Sequence, residues 1–528
     1  MLFGGCKKQE TVIEIERYAE IYDCMEKLET GEENRLAALY PVLSSGDKAL
    51  VNQVAGVIHT YMNSLDAAKI IRLDRQFRQY TSMEWMIDWK KVLPAGLADS
   101  IVNRQARLNV MRLGTLHPNG YFRERCMRIL EEDEESFGYI VLRLNDWVRQ
   151  VRETAYGILA DKLDGIKTDT AVGMIPFISC TKKGERYVYQ QFQEIEEKLS
   201  EKILTHLQEI SLDKIRSYPP VTKRFLYKVL LSPDVLSKQD AERLLTREKS
   251  GNEKQLVIRL ILQKYECSEA QIEGYLQNKS PIVRQKALAV KYERLGSAWE
   301  GIEKYLLDTA GGIRSDVCYI LRRHTDFDIL AYYKQKLHTS KEAVAILGIG
   351  ENGSVKDADM LIEYLYADRP GLVKNAMKAL SGLGAVKIGA VNLSDIYWEY
   401  LHGADTSVAK AAYNAITKCG ISYGAERIYK AYISCKNVSV RKYLIRMLIR
   451  EPSWERLPYL LLVYEPHNGR EDCTQFWIYR AIASRSVYAG ITREWADFIT
   501  ETVNKRKSVL SDTLKKEIMF DLEHIRIV

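Results

Sequence analysis

Apolar residues recur along the chain at offsets 0, 4, 7 and 8 from an anchor, with polar residues between them. In NDWVRQVRETAYGIL the anchor is Val151, followed by Ala155, Ile158 and Leu159. In HPNGYFRERCMRIL it is Phe122, followed by Cys126, Ile129 and Leu130. GGIRSDVCYIL carries Ile313, Val317, Ile320 and Leu321, and SPIVRQKALAV begins the same series with Val283 and Ala287. DTSVAKAAYNAI and NVSVRKYLIRML repeat it from Val408 and Val440. These offsets put the apolar residues on one stripe of an α-helix. Asn, Asp, Ser, Gly or Pro precede each stripe and predict the helix start.

The anchors have a period. Val221, Asn252, Val283 and Ile313 lie 31, 31 and 30 residues apart, and Leu372, Val408 and Val440 lie 36 and 32 apart. A second amphipathic segment falls between anchors, as in 356–366, 394–403 and 454–464. Each unit therefore reads as two helices joined by a turn, followed by a short link. Such a hairpin cannot bury both faces alone, whereas stacking on its neighbours buries them. The turn–Pro–x–Val–Arg–x–x–Ala pattern resembles HEAT repeats, especially the short bacterial HEAT-like kind, over about 117–160 and 280–450. The resemblance implies an all-α, right-handed α-solenoid of stacked helical hairpins, an armadillo-type superhelix with its B helices lining a concave face. It implies no reaction. The expected organisation is an atypical helical cap over 1–100, partly irregular repeats over 101–270, regular repeats over 271–490 and a C-terminal helical cap over 491–528.

One stretch invites a different reading. AVAILGIGENGSVKDADMLIEYL contains Gly348-x-Gly350-x-x-Gly353, the glycine spacing of dinucleotide-binding turns. That fold needs a strand before the glycines and a second strand after the next helix. Here YADRPG follows the helical segment at once and leaves no room for the second strand. Residues 345–350 also align with 379–384, and 415–420 follow in the same register. Gly350, Gly384 and Gly420 are therefore expected to stop successive helices, where a left-handed residue is needed. The prediction is helix over Ala343–Ile349 with Gly350 at or just past its end.

Composition adds limits. The 528 residues are 46% apolar and 28% charged, as expected of a folded chain. No window of about 18 uncharged apolar residues exists, so no spanning helix is predicted. Nine scattered cysteines without a CxxC pair read as reduced thiols of a cytoplasmic protein. Phe3-Gly4-Gly5-Cys6 faintly resembles a lipoprotein cleavage box, but only five residues precede the cysteine, so export is not expected from the sequence as it stands. The net charge of +7 is local: residues 271–450 hold 26 Lys+Arg against 18 Asp+Glu. A basic region of this kind faces an acidic protein, nucleic acid or an anionic membrane.

Candidate chemistry is sparse. The eight histidines are isolated, and no HExxH, GxxxxGK[ST] or GxSxG occurs. No catalytic residue, cofactor or metal is expected. Some HEAT-like DNA glycosylases use aromatic residues beside a carboxylate; Glu84, Trp85, Asp88 and Trp89 offer that combination, as do Asp146, Trp147 and Arg149. Amphipathic helices more often use such tryptophans as core. The acidic run Glu131–Glu135 reads as a solvated turn before a helix. The arginine after the anchor recurs as Arg123, Arg152, Arg284, Arg314 and Arg441, and is expected to bond acidic side chains or turn carbonyls between repeats. The helix 436–450 has five basic residues, Lys436, Arg441, Lys442, Arg446 and Arg450, and no acidic one.

The leading expectation is a non-enzymatic scaffold binding a protein or peptide on its concave face, with Arg284, Arg314, Lys436, Arg441, Lys442 and Arg446 as candidate contacts. Nucleic-acid binding, with or without glycosylase chemistry, is the first alternative. Membrane association is the second, and it rests on the N-terminal cysteine and the basic surface.

Overall fold

The computed structural model describes residues 18–80, 87–205, 212–403, 405–466, 473–485 and 490–528. The fold is all-α. Among the described residues the strands are two short pairs, Lys387–Ile388 with Val391–Asn392 and Gly490–Ile491 with Arg526–Ile527. The chain forms two compact units that divide between Val290 and Lys291.

In each unit, helices stack as hairpins in the α-solenoid manner. In the first, helix Gly120–Ile129 lies against Arg104–Gly114 on one side and Arg149–Lys162 on the other. Helix Phe137–Arg143 packs on Thr168–Thr181, which packs on Pro220–Leu230, which packs on Gly251–Lys264. Ring packing of Tyr40, Phe77, Trp89, His117 and Phe122 fills the core near the start of this unit.

In the second unit one row of helices carries the anchors. It comprises Gly311–His324, Glu342–Asn352, Pro370–Gly382, Thr406–Lys418, Val438–Leu448 and Cys473–Ala483, and from Glu342–Asn352 onward each helix packs on the next. The hairpin partners Leu393–Leu401, Ala425–Ser434 and Ser453–Val463 sit behind the last three. The anchors drive this stacking: Ile313 and Val440 are 1% exposed and Val408 is 6% exposed. The turn residues before them cap the helices as expected. Asp405 accepts from the backbone N–H of Ser407 at 2.7 Å, and Asn437 from that of Ser439 at 3.0 Å. Each satisfies an N–H that has no partner within the helix.

Three expectations change. The stripe in two helices of the first unit begins one residue late: Val221 and Asn252 are exposed, while Thr222 and Glu253 are buried. Glu253 enters the interior because Arg224 Nε donates to it at 2.9 Å. Second, residues 356–366 are not an α-helix but part of three 3-10 turns spanning Val355–Asp357, Asp359–Leu361 and Glu363–Tyr366. Its buried residues are Asp357, Ala358, Leu361, Tyr364 and Leu365, the spacing of an α-helical stripe, which is why the sequence pattern reads as a helix.

Third, the glycines divide. Residues 343–349 are helical, but the helix runs on to Asn352 and Gly353 caps it, so Gly350 is not a stop. Gly350 is instead a packing residue: a Cβ there would fall 2.4 Å from the Cα of Ala379. Gly384 and Gly420 are stops, with φ of +74° and +65°. The N–H of Gly384 donates to Ser381 O and that of Ala385 to Leu380 O, and Gly420 and Ile421 repeat the arrangement onto Thr417 and Ile416.

Candidate binding face

The recurrent arginines brace turns. Arg123 Nη1 donates to the carbonyls of His117 and Pro118, both at 2.7 Å. Arg152 does the same to Asp146 and Trp147, Arg284 to Asn278 and Lys279, and Arg314 to Asp308 and Thr309. In every case the acceptors lie six and five residues back, so the side chain closes the turn that launches its own helix. Arg314 is 1% exposed and also donates from Nε to Glu351 at 3.0 Å. Its guanidinium is thus occupied inside the fold, and that of Arg284 is half-buried on its turn. Arg441 departs from the pattern and lies over the ring of Tyr432, 4.3 Å from its centroid.

Beyond these braces lies an exposed basic face. Pro370–Gly382, Thr406–Lys418 and Val438–Leu448 contain no Asp or Glu, yet carry Lys374, Lys378, Lys410, Lys418, Arg441, Lys442 and Arg446. Relative to the anchors Leu372, Val408 and Val440, Lys374, Lys410 and Lys442 all sit at offset 2, and Lys378 and Arg446 at offset 6. Lys378, Lys410, Lys418, Lys442 and Arg446 are exposed, as is Lys436 just before the third helix. Tyr413 and Tyr443 stack across two of the helices, 5.2 Å between centroids and 19° between planes. Lys374 Nζ donates to Ser407 Oγ at 3.2 Å, tying the first helix to the start of the second.

Along the Ile313 helix, from Gly311 to Arg323, and the C-terminal ends of the next three helices of the row runs an open groove of about 850 Å³. Gly350 and Gly382 line it where their helices approach closely; a Cβ at Gly382 would fall 3.1 Å from Gly350 O. Tyr319, Arg322 and Arg323 come from the last turns of the Ile313 helix, and Lys418 ends the Val408 helix. Tyr319 is 54% exposed and its hydroxyl accepts from Arg323 Nη1 at 2.6 Å. Arg322 Nη2 donates to Asn352 Oδ1 at 2.8 Å. Glu351, the acid in the lining, is the partner of Arg314. Burial pushes the Cys318 thiol beneath the groove up, which holds it as the neutral thiol. The glycine-spaced stretch therefore belongs to a helix that floors a surface groove. No strand precedes it, and a dinucleotide turn is excluded.

The glycosylase-type candidates are not brought together. Glu84 and Trp85 lie outside the described residues. Trp89 is 1% exposed and packs 4.4 Å from His117 and 4.9 Å from Phe122 as core, while Asp88 pairs with Lys91 on the surface. Asp146 is sealed from solvent and accepts from Arg123 Nη2 at 2.7 Å and Arg143 Nη1 at 3.3 Å. Burial alone would raise its carboxyl, but Arg143, Arg123 and Arg78 outweigh burial and hold it below the usual range. Trp147 faces outward at 63% exposure and Arg149 pairs with Glu153. The acidic run is largely engaged as well: Arg112 binds Asp133 and Glu135, and Glu132 accepts from Lys162. The N-terminal cysteine, Cys6, lies outside the described residues, and no described helix is long and apolar enough to cross a membrane.

Sequence reasoning did not single out Tyr319, Arg322, Arg323, Lys374, Lys378, Lys410 or Lys418. The available signal was the run of three anchored helices without a single acid.

No protein-family model and no curated protein matches the chain. Among solved structures it is similar to the karyopherin Kap121p bound to the extreme C-terminus of the protein phosphatase Cdc14p, with 13% identity and a TM-score of 0.32 over 98% of this chain and 66% of that one. It is similar to Kap121p alone at 13% identity and a TM-score of 0.32, over 95% and 64%. A structure concerned with the interaction between cadherin and beta-catenin matches at 11% identity and a TM-score of 0.24, over 92% and 100%. The chain spans about two thirds of the karyopherin chain or less.

Proposed function

We propose that this chain is a non-enzymatic, HEAT-like scaffold of the cytoplasm that binds a protein or peptide segment. The observation that carries the reading is the groove: it is open, about 850 Å³, floored by glycines and flanked by an exposed tyrosine and three cations. Exposed aromatic and arginine side chains around a concavity are the composition of protein-binding sites. The free thiols, among them buried Cys126, Cys267 and Cys318, fit a reducing compartment. Among the described residues, Asp88, Trp89, Asp146 and Arg149 are engaged with separate partners, which favours binding over chemistry.

The test is to fill the groove. Ser315 lines it and is exposed, so Ser315→Trp occupies space without disturbing the core. A stoichiometric partner retained by the wild-type protein from native lysate and lost by this variant supports the reading. Retention of the same partner by both proteins overturns it. The acid-free basic face supports a second reading, nucleic-acid binding, whose signature is affinity falling steeply between about 50 and 200 mM salt.

A further inference from the structure

Independently of the groove, we infer that one edge of the first unit rests on an anionic lipid surface, with apolar side chains entering the lipid and cations meeting its headgroups.

The edge consists of the turns that launch four helices packed side by side: Pro94–Ser100, Gly120–Ile129, Arg149–Lys162 and Tyr189–Thr205. Specific contacts join these turns. Arg125 Nη1 donates to Lys90 O at 3.0 Å, and Lys90 Nζ lies 5.7 Å from the centroid of the Tyr121 ring. Gly120 packs on the next turn, where a Cβ would fall 3.0 Å from Val148 Cγ2. The Arg186 N–H donates to Asn145 Oδ1 at 2.8 Å, tying the last turn to the third. Leu93, Tyr121, Trp147, Val148, Val188 and Tyr189 all face solvent along this line, Tyr189 at 69% exposure. Single exposed apolar residues are ordinary on a protein surface, whereas a continuous row of them marks a surface that meets something.

Charge identifies what it meets. A helix N-terminus is the positive end of the helix dipole and favours acids in the first turn. None of the four helices has an acid there. The launching turns instead carry exposed Lys90, Lys91, Arg149, Lys183 and Arg186, against exposed Asp88 and Glu185. Lys91 pairs with Asp88 and Arg149 with Glu153, which still leaves the edge positive. Dipoles and side chains therefore add rather than cancel, and both call for an anionic neighbour.

The apolar row decides which anion. A second copy of the chain would set cations against cations. A nucleic acid supplies phosphates, but Leu93, Val148 and Val188 have no aromatic face on which bases stack. A protein partner needs a shaped recess for each apolar tip. The tips stand about 8–10 Å apart, the spacing of packed helices, and fluid lipid takes each one without a matching shape. Trp and Tyr are the residues enriched where lipid meets water, and flanking Lys and Arg are drawn to anionic headgroups.

Flotation of the full chain tests this with vesicles of phosphatidylcholine alone and of phosphatidylcholine mixed equally with phosphatidylglycerol. Tyr121→Gln/Trp147→Gln/Tyr189→Gln removes the apolar tips, and Lys90→Glu/Lys183→Glu/Arg186→Glu reverses the charge. Phe476→Gln/Trp477→Gln removes exposed aromatics from helix Cys473–Ala483 as a control. Circular dichroism and thermal melts verify that each variant is folded. Expected are flotation with the mixed vesicles over phosphatidylcholine alone, at least a roughly ten-fold loss of affinity in both edge variants, and little change in the control. Absence of wild-type flotation with the mixed vesicles overturns the proposal, as does a control that loses as much as the tip variant. A tip variant that binds like the wild type overturns it as well, because charge alone would then account for the adsorption. An oligonucleotide or a lysate protein bound through the same tips, with no binding to vesicles, assigns the edge to that partner and rejects lipid.

Discussion

Arg123 donates from Nη2 to Oδ1 of Asp146 at 2.7 Å, with the first side chain 1% exposed and the second fully buried. The pair is one edge of a cluster in which Asp146 and Asp74 also meet Arg143 and Arg78. Two carboxylates and three guanidiniums are taken from water together. Removing one charge therefore leaves others buried without compensation. Asp146→Asn is expected to cost roughly 3–5 kcal/mol, the range for breaking a buried pair from one side. Chemical denaturation followed by far-ultraviolet circular dichroism measures it, and a cost below about 1 kcal/mol would show that water solvates the cluster.

Beside that cluster, His117 gives the protein an acid-sensitive core. Burial, reinforced by Arg123, lowers its pKa to about 3, while an unfolded histidine titrates near 6.5. Between those values the unfolded chain takes up a proton that the folded chain refuses. Stability from this site is complete above about pH 6.5 and declines as the pH falls toward 3, by up to roughly 1.4 kcal/mol per unit. The ring also accepts from the Asn119 N–H at Nδ1, 3.0 Å away. His117→Asn can keep an acceptor and does not titrate. Thermal melts at pH 7 and pH 5 should show a smaller shift for that variant than for the wild type, and equal shifts would contradict the assignment.

Much of this was written in the spacing of apolar residues. Val283, Ile313, Val408 and Val440 announce their helices because a stripe at a 3.6-residue period has one solution. Val221 and Asn252 sit one place off, since the true positions are taken by Thr222 and by Glu253, a charge that enters the core through Arg224. The buried residues 357, 358, 361, 364 and 365 lie on an α-helical stripe, yet the backbone there takes 3-10 turns, which the stripe alone does not reveal. The braces at Arg123, Arg152, Arg284 and Arg314 were legible as a recurrence. The groove was not, because Tyr319, Arg322, Gly350, Gly382 and Lys418 come from four helices that meet only after stacking.

The three glycine roles predict an order of stability. At Gly350 an added Cβ meets the backbone of Ala379 at 2.4 Å, so the helices must separate; Gly350→Ala should cost about 1–3 kcal/mol or more. Gly384 has open space but a φ of +74°, and Gly384→Ala should cost about 1–2 kcal/mol. Gly371 is helical, with nothing within 4 Å of an added Cβ. Gly371→Ala should stabilise by about 0.5–1 kcal/mol. Differential scanning calorimetry ranks the three, and a Gly350 variant as stable as the wild type would refute the close helix approach.

Glu351 holds Arg314 from the lining of the groove. It accepts from Arg314 Nε at 3.0 Å, while Arg314 Nη1 braces the carbonyls of Asp308 and Thr309. Glu351→Gln keeps an acceptor for the guanidinium but removes the charge that assists it. Hydrogen bonds to charged groups contribute more than neutral ones, so a loss of about 1–2 kcal/mol is expected. Chemical denaturation measures it, and an unchanged midpoint would show that the turn carbonyls alone hold the guanidinium.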